Sequence, residues 1–206
     1  MTETKTIADN IARRLRRAAK PVICNVSNRH AHITEENFKT LFGHGYAMRK
    51  LKDLLQPGEF ASKELIEIAS PRGSIKKVRI LGPFRKYTQV EISRTDSFKL
   101  GISAPLRESG KISGSAPVRL IGPAGEVELK EGCLVAVRHI HMTPADAGML
   151  ELKDGERVRI EINGTRGGIL GDTLVRVSPN FVLECHLDTD EANAFDFKSG
   201  GWIYVV

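Results

Sequence analysis

Short apolar runs, separated by glycine, proline and polar turn residues, dominate the chain beyond Gly58. Runs of this kind are typical of β-strands, and two of them stop at a Gly-Pro pair. The predicted strands cover residues 22–28, 64–68, 77–81, 88–92, 100–102, 117–121, 126–129, 157–162, 173–177, 181–186 and 202–206. Many short strands at close spacing predict a mainly β protein made of small β-barrels rather than a parallel α/β sheet.

Two short helices are predicted between the first strand and Pro57. One covers residues 34–41, where Thr34 has the position of an N-cap and acidic residues follow in the first turn. The other covers residues 48–55, where apolar residues recur at helical spacing before Pro57-Gly58. Helices this brief are expected to cap the barrels rather than to form a layer of their own.

Residues 1–20 form a separate amphipathic segment. Ile7, Ile11 and Leu15 recur at helical spacing, and arginines cover the other face. Such a helix could pack on the body of the protein, or it could serve as a short docking helix that binds a protein surface through its apolar stripe. The sequence alone leaves both interpretations open.

Four of the six histidines form two His-x-His pairs, His30 with His32 and His139 with His141. Each pair follows an apolar run of strand type. Because residues i and i+2 of a strand point to the same face, the two imidazoles of a pair converge on one point. Imidazole is the commonest metal-ligating side chain, and two of them supply half of a tetrahedral zinc shell.

The two histidine pairs lie in a duplicated segment. Residues around the first pair recur 109 positions later, and both copies continue into a helix start with a threonine N-cap. The matching residues are Cys24, Val26, Arg29, His30, His32 and Thr34 in the first copy, and Cys133, Val135, Arg138, His139, His141 and Thr143 in the second. A duplicated unit of strand, His-x-His and capped helix predicts two related halves, each with a metal site.

A third ligand can be named for each pair. His186 ends the predicted strand 181–186 and completes the second set. In the first half, Glu91 falls at the position of His186 once the alignment slips by one residue, and glutamate oxygen is a normal zinc ligand in catalytic sites. The predicted shells are therefore His30, His32 and Glu91, and His139, His141 and His186. Three protein ligands leave a fourth position open, as catalytic zinc sites do.

Composition narrows the class of protein. At 206 residues, 41% hydrophobic and 27% charged, the chain is an ordinary globular protein without a membrane-spanning run or a signal-peptide core. Its three cysteines show no Cys-x-x-Cys spacing, which excludes a four-thiolate zinc site. The net charge of +6 fits a polyanionic partner. Nucleic acid is one such partner, but only 6% of the residues are aromatic, and none alternate with a basic stripe.

Arg85 is a basic residue near a predicted ligand and is a candidate for binding an anion. It precedes Glu91 by six residues, and an arginine there could hold an oxyanion bidentately beside the metals. A solvated charge in a turn explains the same residue equally well.

At this point the chain resembles the phosphate propanoyltransferases, the PduL-type phosphotransacylases of bacterial microcompartments. The resemblance is carried by VSNRHAH at residues 26–32, LGPFRKYTQVEIS at 81–93 and VRHIHM at 137–142, and it extends over roughly residues 21–206. It implies two small β-barrels with short capping helices and an active site between them. The barrels would comprise residues 19–28 with 137–206, and residues 29–136.

The resemblance also implies roles for individual residues. The two predicted shells would hold one zinc each, two per chain, and Arg85 would bind phosphate as a catalytic residue. The residues implied to border the coenzyme A pocket are Ser27, Asn28, Lys52, Arg72, Arg79, Leu81 and Asn193.

The implied activity is reversible, zinc-dependent transfer of a short acyl group, propanoyl or acetyl, between coenzyme A and phosphate. The alternatives are a zinc-dependent thioester hydrolase and a non-enzymatic basic β-barrel that binds nucleic acid. On the first interpretation no nucleic acid or membrane is expected as a partner, and a homo-oligomer remains open. Residues 1–20 would then direct the enzyme to microcompartment shell proteins, which gives a location in the microcompartment lumen or the cytoplasm.

Overall fold

The structure is a computed structural model that describes residues 3–206, and its secondary structure is mainly β. The helices are α1 (Glu3–Ala18), α2 (Glu35–Phe42), α3 (Arg94–Leu100), α4 (Pro144–Leu150) and α5 (Thr189–Ala194). The strands are β1 (Val22–Ser27), β2 (His30–His32), β3 (Lys50–Asp53), β4 (Phe60–Ser70), β5 (Gly73–Gly82), β6 (Gln89–Glu91), β7 (Leu106–Arg107), β8 (Ala116–Ile121), β9 (Glu126–Ala136), β10 (His139–Met142), β11 (Arg157–Ile162), β12 (Gly168–Val177), β13 (Glu184–Asp188) and β14 (Gly201–Val205). No helix within residues 3–206 is long and apolar enough to cross a membrane.

The chain divides into two compact units, residues 1–26 with 138–206, and residues 27–137. In the first unit six strands close a barrel in the order β1-β13-β10-β12-β11-β14. Alternate residues of these strands, such as Ile140, Ile160 and Ile203, form its buried core. Helices α4 and α5 follow β10 and β13 directly in the chain.

The second unit contains a ring of six strands. Strands β4, β5, β2, β6, β9 and β8 are neighbours in that order, and β8 pairs with β4 to close the ring. Strand β3 extends the sheet beside β4, and β7 extends it beside β9. Ala31, Ile80, Val90 and Leu120 belong to its buried core. The prediction of a mainly β fold with two small barrels and short helices is confirmed.

Side-chain caps start the short helices. Thr34, Ser93, Thr143 and Asp188 each accept a hydrogen bond from the backbone N–H three residues on. At Thr143 and Asp188 the acidic side chain three residues later also accepts from the backbone N–H of the capping residue, which completes a capping box. Helices of six to eight residues are marginal alone, so these caps help to define where each one begins.

Two local predictions are wrong. Residues 48–55 are not helical: β3 occupies Lys50–Asp53 and pairs with β4 at the sheet edge. Leu51 is 50% exposed, so the apolar periodicity there buries no face that could support a helix. Residues 100–102 are not a strand, because Leu100 ends α3 and Gly101 adopts a left-handed conformation with φ of 64°. The Ser93-x-x-Asp96 cap and this glycine were the overlooked signals.

Helix α1 is anchored to the first unit through its basic residues. Arg17 is buried and donates from Nε to the carbonyl oxygen of Leu150 at 3.0 Å, and Lys20, just beyond the helix, pairs with Asp146 at 2.8 Å. The apolar stripe has the opposite exposure: Ile7, Ile11 and Leu15 are 55%, 54% and 66% exposed. The stripe therefore does not pack on the body of the protein.

Candidate metal centres and their surroundings

The two His-x-His pairs occupy equivalent places in the two barrels. Each lies on a short strand between a parallel and an antiparallel neighbour: β2 between β5 and β6, and β10 between β12 and β13. The residue between the histidines, Ala31 or Ile140, is fully buried in the core. Since side chains alternate along a strand, both histidines of each pair lie on the face opposite to the core.

Strand register supplies the third predicted ligand in each unit. Glu91 of β6 lies opposite His30, and His186 of β13 lies opposite His139. Directly opposed residues share a face, so each third side chain joins its histidine pair. Glu91 and His186 are thus equivalent in register, although aligning the two segments by sequence required a slip of one residue.

The first cluster comprises His30, His32 and Glu91, whose ligand atoms lie within 4.8 Å of one another. Nε2 of His30 is 3.6 Å from Oε2 of Glu91. Nδ1 of His30 lies 2.8 Å from the carbonyl oxygen of Asn28. A proton on Nδ1 donated to this carbonyl leaves the lone pair on Nε2 facing Glu91, which is the tautomer that a metal-ligating histidine needs.

The second cluster comprises His139, His141 and His186, with ligand atoms again within 4.8 Å of one another. Ring centroids of the three imidazoles are 4.7–5.2 Å apart. Phe181 stacks on His141 at 4.2 Å between centroids, and the guanidinium carbon of Arg176 lies 5.7 Å from the Phe181 ring centre. Neither Phe181 nor Arg176 was singled out from the sequence, and only the fold brings them to this cluster.

The buried imidazoles have the properties of metal ligands. Within residues 3–206, Nδ1 of His32, both ring nitrogens of His141 and Nε2 of His186 are buried and make no hydrogen bond. Buried polar atoms normally find a partner, and a bound cation would supply one. Burial, reinforced by the neighbouring histidine, lowers the pKa of His32 to about 3 and that of His141 to about 2. Both rings are therefore neutral near pH 7, as metal binding requires.

Two hydrogen bonds hold Glu91 in place. Gln89, which is fully buried, donates from Nε2 to Oε1 of Glu91 at 2.6 Å. Ser109 donates from Oγ to the same oxygen at 2.7 Å. Both donors bind Oε1, whereas Oε2 is the oxygen nearer to His30. Such outer contacts orient a ligand and tune its affinity for the metal. Sequence reasoning missed Gln89 and Ser109, because neither belongs to a recognisable spacing pattern.

The duplication extends to an arginine–carboxylate pair in each unit. Arg29 donates from Nε to Oδ2 of Asp96 in α3 at 2.7 Å, and Arg138 pairs with Glu191 in α5. In both cases the acidic residue is in the first turn of the helix that follows the third ligand. Each pair ties the start of the histidine strand to that helix. The repeated arginines were visible in the sequence, but their partners were not.

Arg85 lies close to the first cluster. Its backbone N–H donates to the carbonyl oxygen of Ile33 at 2.9 Å, which holds it next to the end of the histidine strand. Its Nη2 is 2.5 Å from Oε1 of Glu59, while its Nε is buried without a hydrogen-bond partner in the described chain. After burial and His30, the charge of Arg85 also lowers the pKa of His32.

Four of the residues expected at a coenzyme A pocket lie beside His30 and His32. Asn28 contacts His30 through its carbonyl, and Ser27 Oγ is 3.4 Å from Nδ1 of the same ring. Arg79 and Leu81 of β5 lie directly opposite His30 and His32.

The other three belong to other elements. Lys52 is on the exposed edge strand β3, opposite Ala61. Arg72 is in the β4–β5 turn, roughly 20 Å along the strand from Arg79 at about 3.3 Å per residue. Asn193 is exposed in α5 of the first unit. The structure therefore does not bring Arg72 to the histidines of its own unit.

Comparison with known proteins identifies relatives across most of the chain. The family model described as phosphate propanoyltransferase matches residues 23–198. A phosphate propanoyltransferase of Thermotoga maritima is 47% identical over 186 residues, which cover 90% of this chain and 89% of the relative. One of Listeria monocytogenes is 50% identical over 84% of this chain and 82% of its own, and one of Salmonella typhimurium is 47% identical over 85% and 83%.

Proposed function

This chain belongs to the phosphate propanoyltransferase family of acyltransferases, and we propose that it is a zinc-dependent phosphotransacylase. The proposed reaction moves a short acyl group, propanoyl or acetyl, reversibly between coenzyme A and phosphate. One observation supports the metal requirement most directly: two equivalent clusters of buried side chains, each built on a His-x-His strand, contain imidazole nitrogens without hydrogen bonds.

In the proposed reaction a phosphate oxygen attacks the thioester carbonyl, the carbon–sulfur bond breaks, and the sulfur leaves as a thiolate. Two zinc ions per chain, one in each cluster, would act as Lewis acids toward oxygen and sulfur. Arg85 would orient the phosphate, since its guanidinium has a buried Nε–H that no atom of residues 3–206 accepts. Glu59 would hold the other side of the guanidinium before phosphate binds.

We propose that coenzyme A binds the second unit beside His30 and His32. Arg79 and Leu81 lie opposite those histidines on β5, and Arg79 adds a positive charge. Ser27 and Asn28 both lie within 3.4 Å of Nδ1 of His30. Nη1 of Arg79 donates to the carbonyl oxygen of Ser62 at 2.6 Å, which fixes the guanidinium on β5. Lys52, Arg72 and Asn193 are the other residues proposed to contact coenzyme A. The net charge of +6 suits two polyanionic substrates.

A coupled assay tests the activity. Zinc-loaded full-length protein should release free coenzyme A from propanoyl-CoA only when phosphate is present, and acyl phosphate should accumulate in equal amount. Loss of thioester without phosphate would indicate a hydrolase instead. Absence of turnover together with salt-sensitive binding to RNA or DNA would refute the enzyme and support the nucleic-acid-binding alternative.

We further propose that residues 1–20 bind microcompartment shell proteins, which would place the enzyme in the compartment lumen; without that interaction it would act in the cytoplasm. The exposed stripe of Ile7, Ile11 and Leu15 on α1 supports this proposal, because its opposite side is held by Arg17. A fluorescent protein fused to residues 1–20 should form puncta when expressed with the shell proteins of the same host. A fusion with the three stripe residues changed to serine should be diffuse, and puncta from that control would contradict the role of the stripe.

A further inference from the structure

The register of the two barrels makes Gln89 and Glu184 equivalent. Gln89 of β6 lies opposite His32, and Glu184 of β13 lies opposite His141. Each stands two residues before the third ligand of its cluster and shares its face of the strand. Both are buried, Gln89 fully and Glu184 to all but 4%. The second cluster thus has a carboxylate where the first has an amide.

We propose that Glu184 is a positioning residue that supplies the negative charge of the second metal centre, as Glu91 does at the first. This inference rests on the proposed function, because it presupposes that the His139–His141–His186 cluster holds zinc. Three neutral imidazoles would leave the double positive charge of a zinc ion in the second cluster uncompensated. The first cluster already contains one carboxylate, that of Glu91. With Glu184 included, each centre has one carboxylate. The carboxylate of the second centre stands two residues earlier on its strand than Glu91 does on the equivalent strand.

The geometry at His186 supports this role. Oε2 of Glu184 lies 3.1 Å from Nε2 of His186, yet that nitrogen makes no hydrogen bond, so the two atoms are side by side and not aligned as donor and acceptor. Two donors of one tetrahedral zinc ion, with bonds of about 2.0–2.1 Å, are separated by about 3.4 Å. A cation bound at Nε2 would therefore be close to Oε2. The ligand atoms that lie within 4.8 Å of one another are those of His139, His141 and His186, without Glu184. This favours Glu184 as a neighbour of the metal ligands over Glu184 as a fourth ligand.

A chain of hydrogen bonds fixes the carboxylate. Asn25 of β1 donates from Nδ2 to Oε1 of Glu184 at 2.7 Å, and Ser199 donates from Oγ to Oδ1 of Asn25 at 2.9 Å. Oε1 is thereby occupied, while Oε2 is the oxygen directed to His186. The same division is seen at Glu91, where Oε1 accepts from Gln89 and Ser109. Because residue 89 is a glutamine, no second carboxylate stands at this position beside Glu91.

Zinc affinity of the full-length protein tests the inference. Chelator competition should resolve the two centres, and His141→Ala identifies the signal of the second. Glu184→Gln keeps the size of the side chain and an oxygen for Asn25 but removes the charge. It should weaken the second centre by about tenfold to 100-fold, the usual effect of losing an outer partner of a metal ligand. The first centre serves as an internal reference and should be unchanged.

Two further variants separate charge from folding. Glu184→Asp keeps the charge and should retain most of the affinity, whereas Glu161→Gln, a half-buried carboxylate of β11 in the same unit, should have no effect. Affinity of the second centre within twofold of wild type in Glu184→Gln would overturn the inference, as would equal losses in Glu184→Gln and Glu184→Asp. Absence of zinc binding by the wild-type protein would instead overturn the proposed metal centres themselves, and the inference with them.

Discussion

Replacing Arg85 by alanine should impair the use of phosphate without removing zinc. In the structure the Arg85 guanidinium has one partner, Glu59 at 2.5 Å from Nη2, and a buried Nε that no described protein atom accepts from. The alanine variant loses that buried donor and the positive charge next to His32. Glu59 is left with a side chain that is 29% exposed, so water can solvate it and the fold should tolerate the change.

The magnitude follows from the hydrogen bonds that the alanine side chain cannot make with phosphate. A hydrogen bond to a charged group contributes about 1.5–3 kcal/mol, so removing a single one from the transition state should lower kcat/KM by about tenfold to 150-fold. Removing a bidentate interaction would exceed that range. Arg85→Lys should fall between wild type and Arg85→Ala, because lysine keeps the charge but not the planar pair of donors.

Initial rates of coenzyme A release, measured against phosphate concentration at saturating propanoyl-CoA, provide the assay. Zinc content must stay at the wild-type value for the comparison to hold. Arg119→Ala is the matched control: Arg119 is also paired with carboxylates, Glu126 and Glu128, but on the exposed surface of β8 and β9. A normal kcat/KM for phosphate in Arg85→Ala would refute the reasoning and make Arg85 a structural residue.

Three other outcomes are expected. Elemental analysis should find about two zinc ions per chain, and His186→Ala should lose one of them together with turnover; full retention of both would contradict the second centre. In the zinc-free protein the free energy of unfolding should fall as the pH is lowered from about 6.5. The unfolded chain takes up protons in this range, whereas the buried rings of His32 and His141 stay neutral because their pKa values are lowered. Each of the two rings should contribute about 1.4 kcal/mol per pH unit. Urea denaturation between pH 7 and 5 measures this, and His141→Gln should reduce the slope, whereas an unchanged slope would argue against a neutral buried ring. Arg138→Met should destabilise the first unit by about 1.5–3 kcal/mol through loss of the charged hydrogen bond to Glu191, and a melting temperature equal to that of wild type would contradict this.

Local pattern was enough to predict the strands of Glu91 and His186 and the shared face of each histidine pair. Alternating apolar residues and the His-x-His spacing depend only on which face a side chain occupies, and a strand has just two faces. The wrong helix over residues 48–55 shows where this reasoning fails. Its apolar residues have helical spacing, but the segment pairs with β4 at a sheet edge, and a pairing partner distant in sequence overrides local propensity.

The sequence by itself determined the chemistry of each site: the residue types, their duplication and the faces on which they lie. Tertiary structure decided which strands stand side by side. Strand β1 precedes the first histidine pair in the chain but closes the barrel of the second pair, where Asn25 reaches Glu184. Likewise Ser109 reaches Glu91, and Arg29 reaches Asp96, only because of strand and helix packing. Such contacts join residues 18 to 159 positions apart. No periodicity along the chain predicts them, because they depend on the register between elements and not on spacing within one element.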